Sequence, residues 1–206
     1  MWYILFFLGA YLIGNINPAI IISKRTKGLD IRNINSKNAG TSNVTMTIGW
    51  RWGITVLLLD MLKGFTPALI ARLVFPDNDI YWFTAGLGAI LGHIYPMFHG
   101  FKGGKGSATF GGMLFATTPI FATIMLATYI LILFVTDYIA LSTLFVSVVT
   151  PIVLYFLNMH LYSILLMVVF ALVSFYKHRE NYGRILRGDE VGIRKFNRNK
   201  DRIRVK

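Results

Sequence analysis

Long apolar stretches separated by short polar segments dominate the chain. About 20 apolar residues are enough to cross the hydrocarbon core of a bilayer, so we interpret seven stretches as membrane-spanning helices. They cover approximately residues 2–23, 52–74, 80–98, 106–118, 119–136, 138–157 and 160–177. The pattern predicts an all-α, polytopic membrane helical bundle. A single integral membrane domain is expected over residues 1–206, with a basic tail at 178–206.

The fourth stretch is the shortest of the seven. It is expected to be tilted, broken or partly covered by its neighbours. Pro119 separates it from the fifth stretch, because proline cannot continue the hydrogen bonding of a helix. A five-span alternative, in which segments around 106–136 merge or leave the membrane, stays open on the sequence alone.

Lysine and arginine concentrate in three of the connecting segments. They lie in residues 24–51, in residues 99–106 and in the tail that starts at Lys177, whereas the turn at 74–80 carries aspartates. Positive residues favour the cytoplasmic side of a membrane. We therefore expect the amino terminus outside, the carboxyl terminus in the cytoplasm, and all three basic segments on the cytoplasmic face. The first stretch lacks a charged leader, so we interpret it as a span and not as a cleaved signal.

The composition limits the binding partners and the reaction types that can be expected of this chain. Hydrophobic residues make up 55% of the 206 residues and charged residues 15%, and the mean hydropathy is +0.58. The net charge of +12 fits contact with anionic lipid head groups, and no nucleic-acid-binding fold matches the pattern. The sequence has no cysteine, which excludes thiol chemistry and thiolate metal sites. Because no histidine or carboxylate pair has a metal-ligand spacing, we expect no metal and no other cofactor.

The segment 101–109, which we call the glycine-rich loop, has the composition of a phosphate-binding loop. Its glycines let backbone N–H groups approach an anion closely, and its lysines supply charge suited to phosphate. Two hydroxyl side chains follow where the next helix is expected to begin, and a helix N-terminus favours anions. In chain order these residues are Lys102, Gly103, Gly104, Lys105, Gly106, Ser107 and Thr109. The spacing differs from that of the P-loop, and the alternative is a flexible basic turn between two spans.

Residues 35–43 form a second segment of interest, which we call the first polar segment because it precedes the glycine-rich loop in the chain. Short side chains that donate and accept hydrogen bonds crowd this segment. They belong to Asn35, Ser36, Asn38, Thr41, Ser42 and Asn43. Composition alone favours a polar loop that caps the second span. Its expected location on the same membrane face as the glycine-rich loop favours recognition of a polyol instead.

Three ionisable residues lie within the second and third spans. Asp60 and Lys63 are spaced i, i+3 and can pair on one helical face. This pair is either structural or part of a site, because charges within a membrane are often functional. His93 precedes the glycine-rich loop by one or two turns. It is either a structural residue that can orient the loop or a proton carrier near neutral pH.

The last span ends with a run of polar residues. They are Lys177, His178, Arg179, Glu180 and Asn181. This run is either an interfacial anchor or part of a site, since the guanidinium of Arg179 suits phosphate or carboxylate. The sequence shows no serine or cysteine nucleophile with a partnered base. Direct transfer between two bound phosphate-bearing substrates is therefore the simplest enzymatic mechanism.

Three of these segments together resemble the bacterial acyl-phosphate:glycerol-3-phosphate acyltransferases of the PlsY type. The resemblance extends from Tyr11 to about Arg187 and rests on residues 60–64, 92–109 and 178–181. It implies a seven-span enzyme of the bacterial cell membrane with its active site at the cytoplasmic face. Such an enzyme moves an acyl group from acyl-phosphate to the 1-hydroxyl of glycerol 3-phosphate, giving lysophosphatidate and phosphate, without direct use of a coenzyme-A thioester, acyl carrier protein or metal. We expect a monomer whose partners are these substrates and membrane lipids.

The resemblance also implies roles for individual residues. The glycine-rich loop and Lys105 are expected to hold the phosphate of acyl-phosphate and to stabilise charge as it leaves. The acyl chain is expected to extend into the bilayer between spans. The predicted catalytic residues are Ser36, Lys105 and His178. The predicted substrate-binding residues are Asn38, Gly40, Ser42, Asn43, Lys63, Gly103, Gly104, Gly106, Ser107, Thr109, Arg179 and Asn181.

The first polar segment departs from the family pattern Ser-Gly-Asn-x-Gly-Ala-Thr-Asn-x-x-Arg. Lys37 takes a glycine position, and Met46 takes the position of the arginine. Met46 cannot hold a phosphate, and Lys37 replaces charge but not bidentate geometry. Arg51 is a poor replacement because it lies on another helical face, and Asn15 stands where the family has serine.

These departures leave alternatives to glycerol 3-phosphate acylation. One is a divergent paralogue that has another acceptor, or that binds lipid or phosphate without activity. The other is a small-solute transporter, which typically has discontinuous helices and charges at the bilayer midplane. The clustering of the polar motifs at one membrane face favours an enzyme.

Overall fold

The computed structural model describes residues 2–194, which form helices joined by short connections. The α-helices of this part of the chain are α1 (Trp2–Asn15), α2 (Pro18–Lys27), α3 (Thr41–Ile48), α4 (Trp50–Val74), α5 (Asp79–Ile94), α6 (Ser107–Thr117), α7 (Pro119–Thr136), α8 (Ile139–Phe156) and α9 (Leu161–Arg187). Short 3₁₀ turns lie at Ile31–Asn33 and Met97–His99. The predicted all-α class is confirmed. The last twelve residues of the predicted basic tail lie outside the described residues.

Five segments of the described chain are long and apolar enough to cross a membrane. They are Trp2–Lys27, Trp50–Val74, Pro119–Thr136, Ile139–Phe156 and Leu161–Arg187. The third and fourth predicted spans correspond to α5 and α6, but these helices have only 16 and 11 residues. Both are shorter than a straight crossing requires. The chain is therefore a multi-pass helical membrane protein, while the count of seven spans stays a prediction.

The first predicted span is divided by a break. α1 ends at Asn15 and α2 begins at Pro18, because proline lacks an N–H and drives the preceding residue to extended backbone. Asn17 has φ −108° and ψ 97°, and its side chain accepts a hydrogen bond of 3.1 Å from the N–H of Ile20. The asparagine thereby caps the N-terminus of α2. The predicted continuous span over residues 2–23 does not contain this break.

A first compact unit of the chain ends at Pro119. Within it, α1 packs along α5 and α4 packs along α6. Glycine is required where the helix backbones touch. A Cβ at Gly92 of α5 would collide with the carbonyl oxygen of Tyr11, and a Cβ at Gly112 of α6 would collide with that of Met61. These crossings fix the helices that carry the glycine-rich loop.

A second compact unit begins at Ile120. Within it, α8 packs against α9, with Leu154 and Phe170 fully buried. The last span was expected to end at residue 177, but α9 continues for another ten residues to Arg187. Gly188 ends the helix in the left-handed conformation, with φ 76°, as glycine commonly does. Residues 178–181 therefore lie inside a helix and not in a tail.

Candidate active site

A buried ionic cluster joins α4 to α5. Oδ1 of Asp60 lies 2.8 Å from Nζ of Lys63, which confirms that the predicted i, i+3 pair can form. The same oxygen lies 3.3 Å from Nδ1 of His93. The three side chains are only 2–6% exposed. Because an unpaired buried charge costs several kcal/mol, approximately, the pairing is what allows these groups to lie in an apolar interior.

Lys63 has a further partner in the break of the first span. Its ammonium donates a hydrogen bond of 3.0 Å to the carbonyl oxygen of Ile16. Carbonyls at the end of a helix lack an intrahelical donor, so Lys63 supplies one. Lys63 is one of the predicted substrate-binding residues. The structure gives its ammonium two partners within the protein, Asp60 and Ile16.

The glycine-rich loop is held against the end of α5. The N–H of Gly103 donates to the carbonyl oxygen of Ile94, and that of Gly104 donates to the carbonyl oxygen of His93, each over 3.2 Å. A Cβ at Gly104 would collide with the imidazole of His93 and lie 2.8 Å from the carbonyl oxygen of Ala39. Gly104 is therefore the point where the glycine-rich loop meets the segment 35–43.

The loop leads directly into the N-terminus of α6. This helix begins at Ser107, as predicted, and Gly106 precedes it with φ 88°. The N-cap residue of α6 is therefore a glycine, which has no side chain to cap the helix, and the dipole at a helix N-terminus favours an anion. Lys105 and Ser107 are half-buried, whereas Thr109 is fully buried. The exposure of the first two is compatible with the predicted contacts to a bound phosphate.

Asn43 shapes the segment that precedes α3. Its Nδ2 lies 2.9 Å from the carbonyl oxygen of Ile31 and 3.0 Å from those of Ile34 and Asn38. The side chain is fully buried, so the structure places this predicted substrate-binding residue beneath its own loop. Ser36 is exposed, and Asn38 is half-buried. Ser42 is also half-buried, whereas Gly40 is buried at the start of α3.

Arg32 links the 3₁₀ turn that precedes the first polar segment to the turn after α5. Its Nη1 donates to the carbonyl oxygen of His99 over 2.7 Å, and its Nη2 pairs with Asp30 at 2.7 Å. The hydrogen bond from Arg32 lowers the pKa of Asp30 to about 2. Burial, followed by the charge of Arg32, lowers the pKa of His99. Arg32 is thus occupied within the protein, and it does not replace the arginine missing at position 46.

Lys37 and Met46, two of the departures from the family pattern, lie on opposite sides of Gly40. Lys37 has φ 55°, in the left-handed region where a side chain costs roughly 1–2 kcal/mol and glycine costs nothing. The backbone at this position thus has a conformation that suits the family's glycine. Met46 lies within α3 and is half-buried.

The third motif lies in α9 of the second unit. His178 is buried, with Nδ1 at 2.9 Å from the carbonyl oxygen of Ser174. Nη1 of Arg179 donates to the carbonyl oxygen of Tyr176 over 2.8 Å. Nδ2 of Asn181 donates to Glu190 over 2.5 Å. Each of these predicted site residues therefore has a partner within its own unit.

Some contacts that shape the site were missed by the sequence analysis. Asn17 caps α2, and its Nδ2 lies 3.5 Å from the carbonyl oxygen of Ala39. The adjacent Asn17 and Pro18 are a recognisable start signal for a helix, but they stand within an apolar run. The contact of Arg32 with the turn after α5 has no comparable signal in the sequence.

The fold defines an all-helical membrane protein in which the first polar segment meets a glycine-rich loop whose composition suits phosphate binding. Residues 4–188 match the sequence model of the family described as glycerol-3-phosphate acyltransferase. This chain belongs to the glycerol-3-phosphate acyltransferase family. The resemblance drawn from the three motifs is thereby confirmed.

Relatives of known name match nearly the whole chain. The glycerol-3-phosphate acyltransferase of Aquifex aeolicus (strain VF5) is 40% identical over 182 residues, which are 88% of this chain and 94% of the relative. The enzyme of that name from Bacillus subtilis (strain 168) is 35% identical over 185 residues, 90% of this chain and 94% of the relative.

The fold is similar to crystal structures of PlsY (YgiH), described as an integral membrane glycerol 3-phosphate acyltransferase. Its glycerol 3-phosphate form matches with a TM-score of 0.88 and 36% identity, over 94% of this chain and 96% of that chain. Its lysophosphatidic acid form matches with a TM-score of 0.84 and 35% identity, over 93% and 95% of the two chains.

Proposed function

We propose that this chain transfers a fatty acyl group from acyl-phosphate to the 1-hydroxyl of sn-glycerol 3-phosphate. The products are lysophosphatidate and inorganic phosphate, which serve phospholipid synthesis. The observation that carries the proposal is the contact at Gly104, where the glycine-rich loop meets the carbonyl oxygen of Ala39 in the first polar segment. The similar PlsY structures are a glycerol 3-phosphate form and a lysophosphatidic acid form, which correspond to the acceptor and the product of this reaction.

The reaction needs no covalent intermediate on the protein. The acceptor hydroxyl oxygen attacks the acyl carbon, and the bond from that carbon to the phosphate oxygen breaks. Phosphate leaves with the electron pair, and the hydroxyl proton passes to a phosphate oxygen of one of the substrates. Acyl-phosphate is a mixed anhydride and is already activated, so positioning of the two substrates supplies much of the acceleration.

The donor phosphate is proposed to lie at the glycine-rich loop. Backbone N–H groups near Gly106 and at the N-terminus of α6 favour an anion there. The half-buried Lys105 adds a positive charge that stabilises the phosphate as it leaves. Ser107 is proposed to contribute a hydroxyl donor. The buried Thr109 supports the loop through its contact with Gly64.

The acceptor is proposed to bind at the first polar segment. Ser36, Asn38 and Ser42 supply hydroxyl and amide groups with at least partial exposure, while Asn43 holds the loop in shape from below. The roles of His178, Arg179 and Asn181 rest on the family resemblance. They are tested by substituting each residue and measuring the apparent KM for glycerol 3-phosphate.

The proposed setting is a bacterial cell membrane crossed seven times by a monomer. The two shorter helices α5 and α6 complete the count of seven, and the distribution of lysine and arginine favours an outer amino terminus and a cytoplasmic site.

One experiment tests the proposed function directly. The purified chain is incubated with a long-chain acyl-phosphate and glycerol 3-phosphate, and the release of phosphate and formation of lysophosphatidate are followed together. Equal amounts of both products are expected. Phosphate release without lysophosphatidate would contradict acyl transfer to glycerol 3-phosphate.

A second candidate is the same transfer to another polyol phosphate. The methionine at position 46 and the lysine at position 37 favour it, because the family pattern has arginine and glycine there. A panel of polyol phosphates in the same assay distinguishes the two. A clear preference for another acceptor would replace glycerol 3-phosphate in the proposal.

A further inference from the structure

The ionic cluster of Asp60, Lys63 and His93 has no role in the chemistry of transfer proposed above. Its three side chains are nonetheless buried, and burying charges is costly in free energy. Apolar side chains of similar shape often provide equal or better stability than such a cluster. The contacts of the three residues with the surrounding backbone indicate what the cluster does instead.

One set of contacts runs from Asp60 through His93 to the glycine-rich loop. Nδ1 of His93 lies 3.3 Å from Oδ1 of Asp60. The opposite edge of the same ring faces Gly104, where a Cβ would collide with Nε2. The N–H of Gly104 also donates to the carbonyl oxygen of His93. The carboxylate thus lies at one edge of the ring, and the loop packs against the other edge.

A second set of contacts runs through Lys63 to the other side of the same glycine. Lys63 pairs with Asp60 and donates to the carbonyl oxygen of Ile16 in the break of the first span. The next residue, Asn17, lies with its Nδ2 at 3.5 Å from the carbonyl oxygen of Ala39. That oxygen faces Gly104. The two sets of contacts therefore start at one carboxylate and end at one residue of the loop.

We propose that Asp60 is a positioning residue that holds the glycine-rich loop in place for the donor phosphate. It acts through His93 on one side of Gly104, and through Lys63 and the broken first span on the other. Gly104 directly precedes Lys105, so a shift at Gly104 moves the lysine that is proposed to contact the phosphate. A misplacement of about 1 Å can cost about 100-fold in rate. This inference rests on the proposed function for its kinetic consequence.

The kinetic test is a double-mutant cycle in the full-length protein. One arm carries Asp60→Leu with Lys63→Met. These changes remove both charges, and they keep a branched side chain at position 60 and an unbranched one at position 63. The other arm carries His93→Gln, and a third variant combines all three changes. Each arm is expected to raise the apparent KM for acyl-phosphate or lower kcat by about tenfold, with the KM for glycerol 3-phosphate changed less than about twofold. The combined variant is expected to lose no more activity than the more strongly affected of the two arms, because the effects of residues that act through one another are not additive.

Arg72→Met is the matched control. Arg72 also lies on α4 and also donates to a backbone carbonyl, that of Ala116 in α6, over 2.9 Å. This variant is expected to lose stability without the change in donor KM. A combined variant with a loss of about 100-fold, or an equal rise in both KM values, would overturn the proposal.

A second measurement tests the positioning role of Asp60 and does not depend on enzymatic activity. The sequence has no cysteine, so a spin label can be placed at a single position, either Lys102→Cys within the loop or Asp77→Cys in the turn between α4 and α5. Both arms of the cycle are expected to increase label motion at position 102 and not at position 77. Unchanged motion at 102, or equal increases at both positions, would overturn the positioning role. A protein inactive on every acyl-phosphate, but with the expected change at 102, would refute only the proposed function.

Discussion

The ammonium of Lys63 donates a hydrogen bond to the carbonyl oxygen of Ile16, a backbone acceptor in the break of the first span. Non-helical backbone at membrane depth is tolerated only where it is enclosed by protein or lines a cavity. Asn15 adds a hydrogen bond of 2.7 Å to the carbonyl oxygen of Tyr11, and Asn17 caps the next helix. Discontinuous helices are also typical of transporters, but here Lys63 of the same unit donates to a carbonyl of the break and Asn17 accepts from the N–H of Ile20.

The contact at Gly104 gives the first prediction. Gly104→Ala is expected to lower the rate of transfer by about 100-fold or more, because the added methyl group must displace the loop from His93 and Ala39 and so misplace Lys105. The measurement is phosphate release by the purified variant at saturating glycerol 3-phosphate. Its amount in the membrane is compared with that of the unchanged protein.

Gly111→Ala is the matched control for this change. A Cβ at Gly111, within α6, meets no atom within 4 Å. Alanine is favoured over glycine in a helix by roughly 0.5–1 kcal/mol, so this variant is expected to be at least as stable and fully active. Equal activity of the two variants would contradict the close packing of the loop at Gly104.

The second prediction concerns Lys105. Lys105→Ala is expected to lower transfer by roughly 10²–10³, which is the typical loss when one contact to developing charge is removed. Lys102→Ala serves as the control, because Lys102 is exposed whereas Lys105 is half-buried. Its loss of activity is expected to be small. Near-normal turnover by the Lys105 variant, measured as lysophosphatidate formed, would exclude the proposed electrostatic role.

Local signals in the sequence were sufficient for much of the fold. Pro119 marked the start of α7, and the last glycine of the loop marked the start of α6 at Ser107. The pairing of Asp60 with Lys63 was predictable, because helix geometry alone brings i, i+3 residues together. That His93 joins this pair depends on how α5 packs against α4, which the sequence pattern does not specify.

The composition of a polar segment does not show which way its side chains point. Asn43 and Asn38 look alike in the sequence, but Asn43 is buried and holds the loop together, whereas Asn38 is half-buried. The break at Asn17 was hidden for a related reason. Apolar residues on both sides continue the hydrophobic run, so the total length suggested a span before the capping signal was considered.

The third prediction concerns topology. Because the sequence has no cysteine, single cysteines at Ser36, Lys102 and Glu180 report only their own location. All three are expected to react with an impermeant thiol reagent only after the membrane is opened, since lysine and arginine favour the cytoplasmic side. Glu180 represents residues 178–181 because it is exposed, whereas His178 is buried. A cysteine at Asp77 is the control and is expected to react in intact cells.

Labelling of any of the first three positions in intact cells would contradict the shared cytoplasmic face. Protection of the cysteine at Asp77 would contradict the placement of the α4–α5 turn outside. The proposed orientation thus has two independent ways to fail.

The fourth prediction concerns the missing arginine. Met46→Arg is expected to lower the apparent KM for glycerol 3-phosphate by about tenfold, because charge-assisted hydrogen bonds from a guanidinium to phosphate contribute about 1.5–3 kcal/mol. The KM for acyl-phosphate is expected to change little, since the donor phosphate is proposed to lie at the glycine-rich loop. Initial rates with each substrate varied in turn give both values.

The double variant Met46→Arg with Lys37→Gly is the most informative form of this test. It restores the family's residues at positions 37 and 46 without adding net charge. It also removes a side chain from backbone with φ 55°, so it is expected to raise the melting temperature of the folded protein slightly. If the unchanged protein is already active and Met46→Arg lowers its activity, the site is built around a different acceptor. An unchanged KM in both variants would instead show that position 46 does not contact the acceptor phosphate.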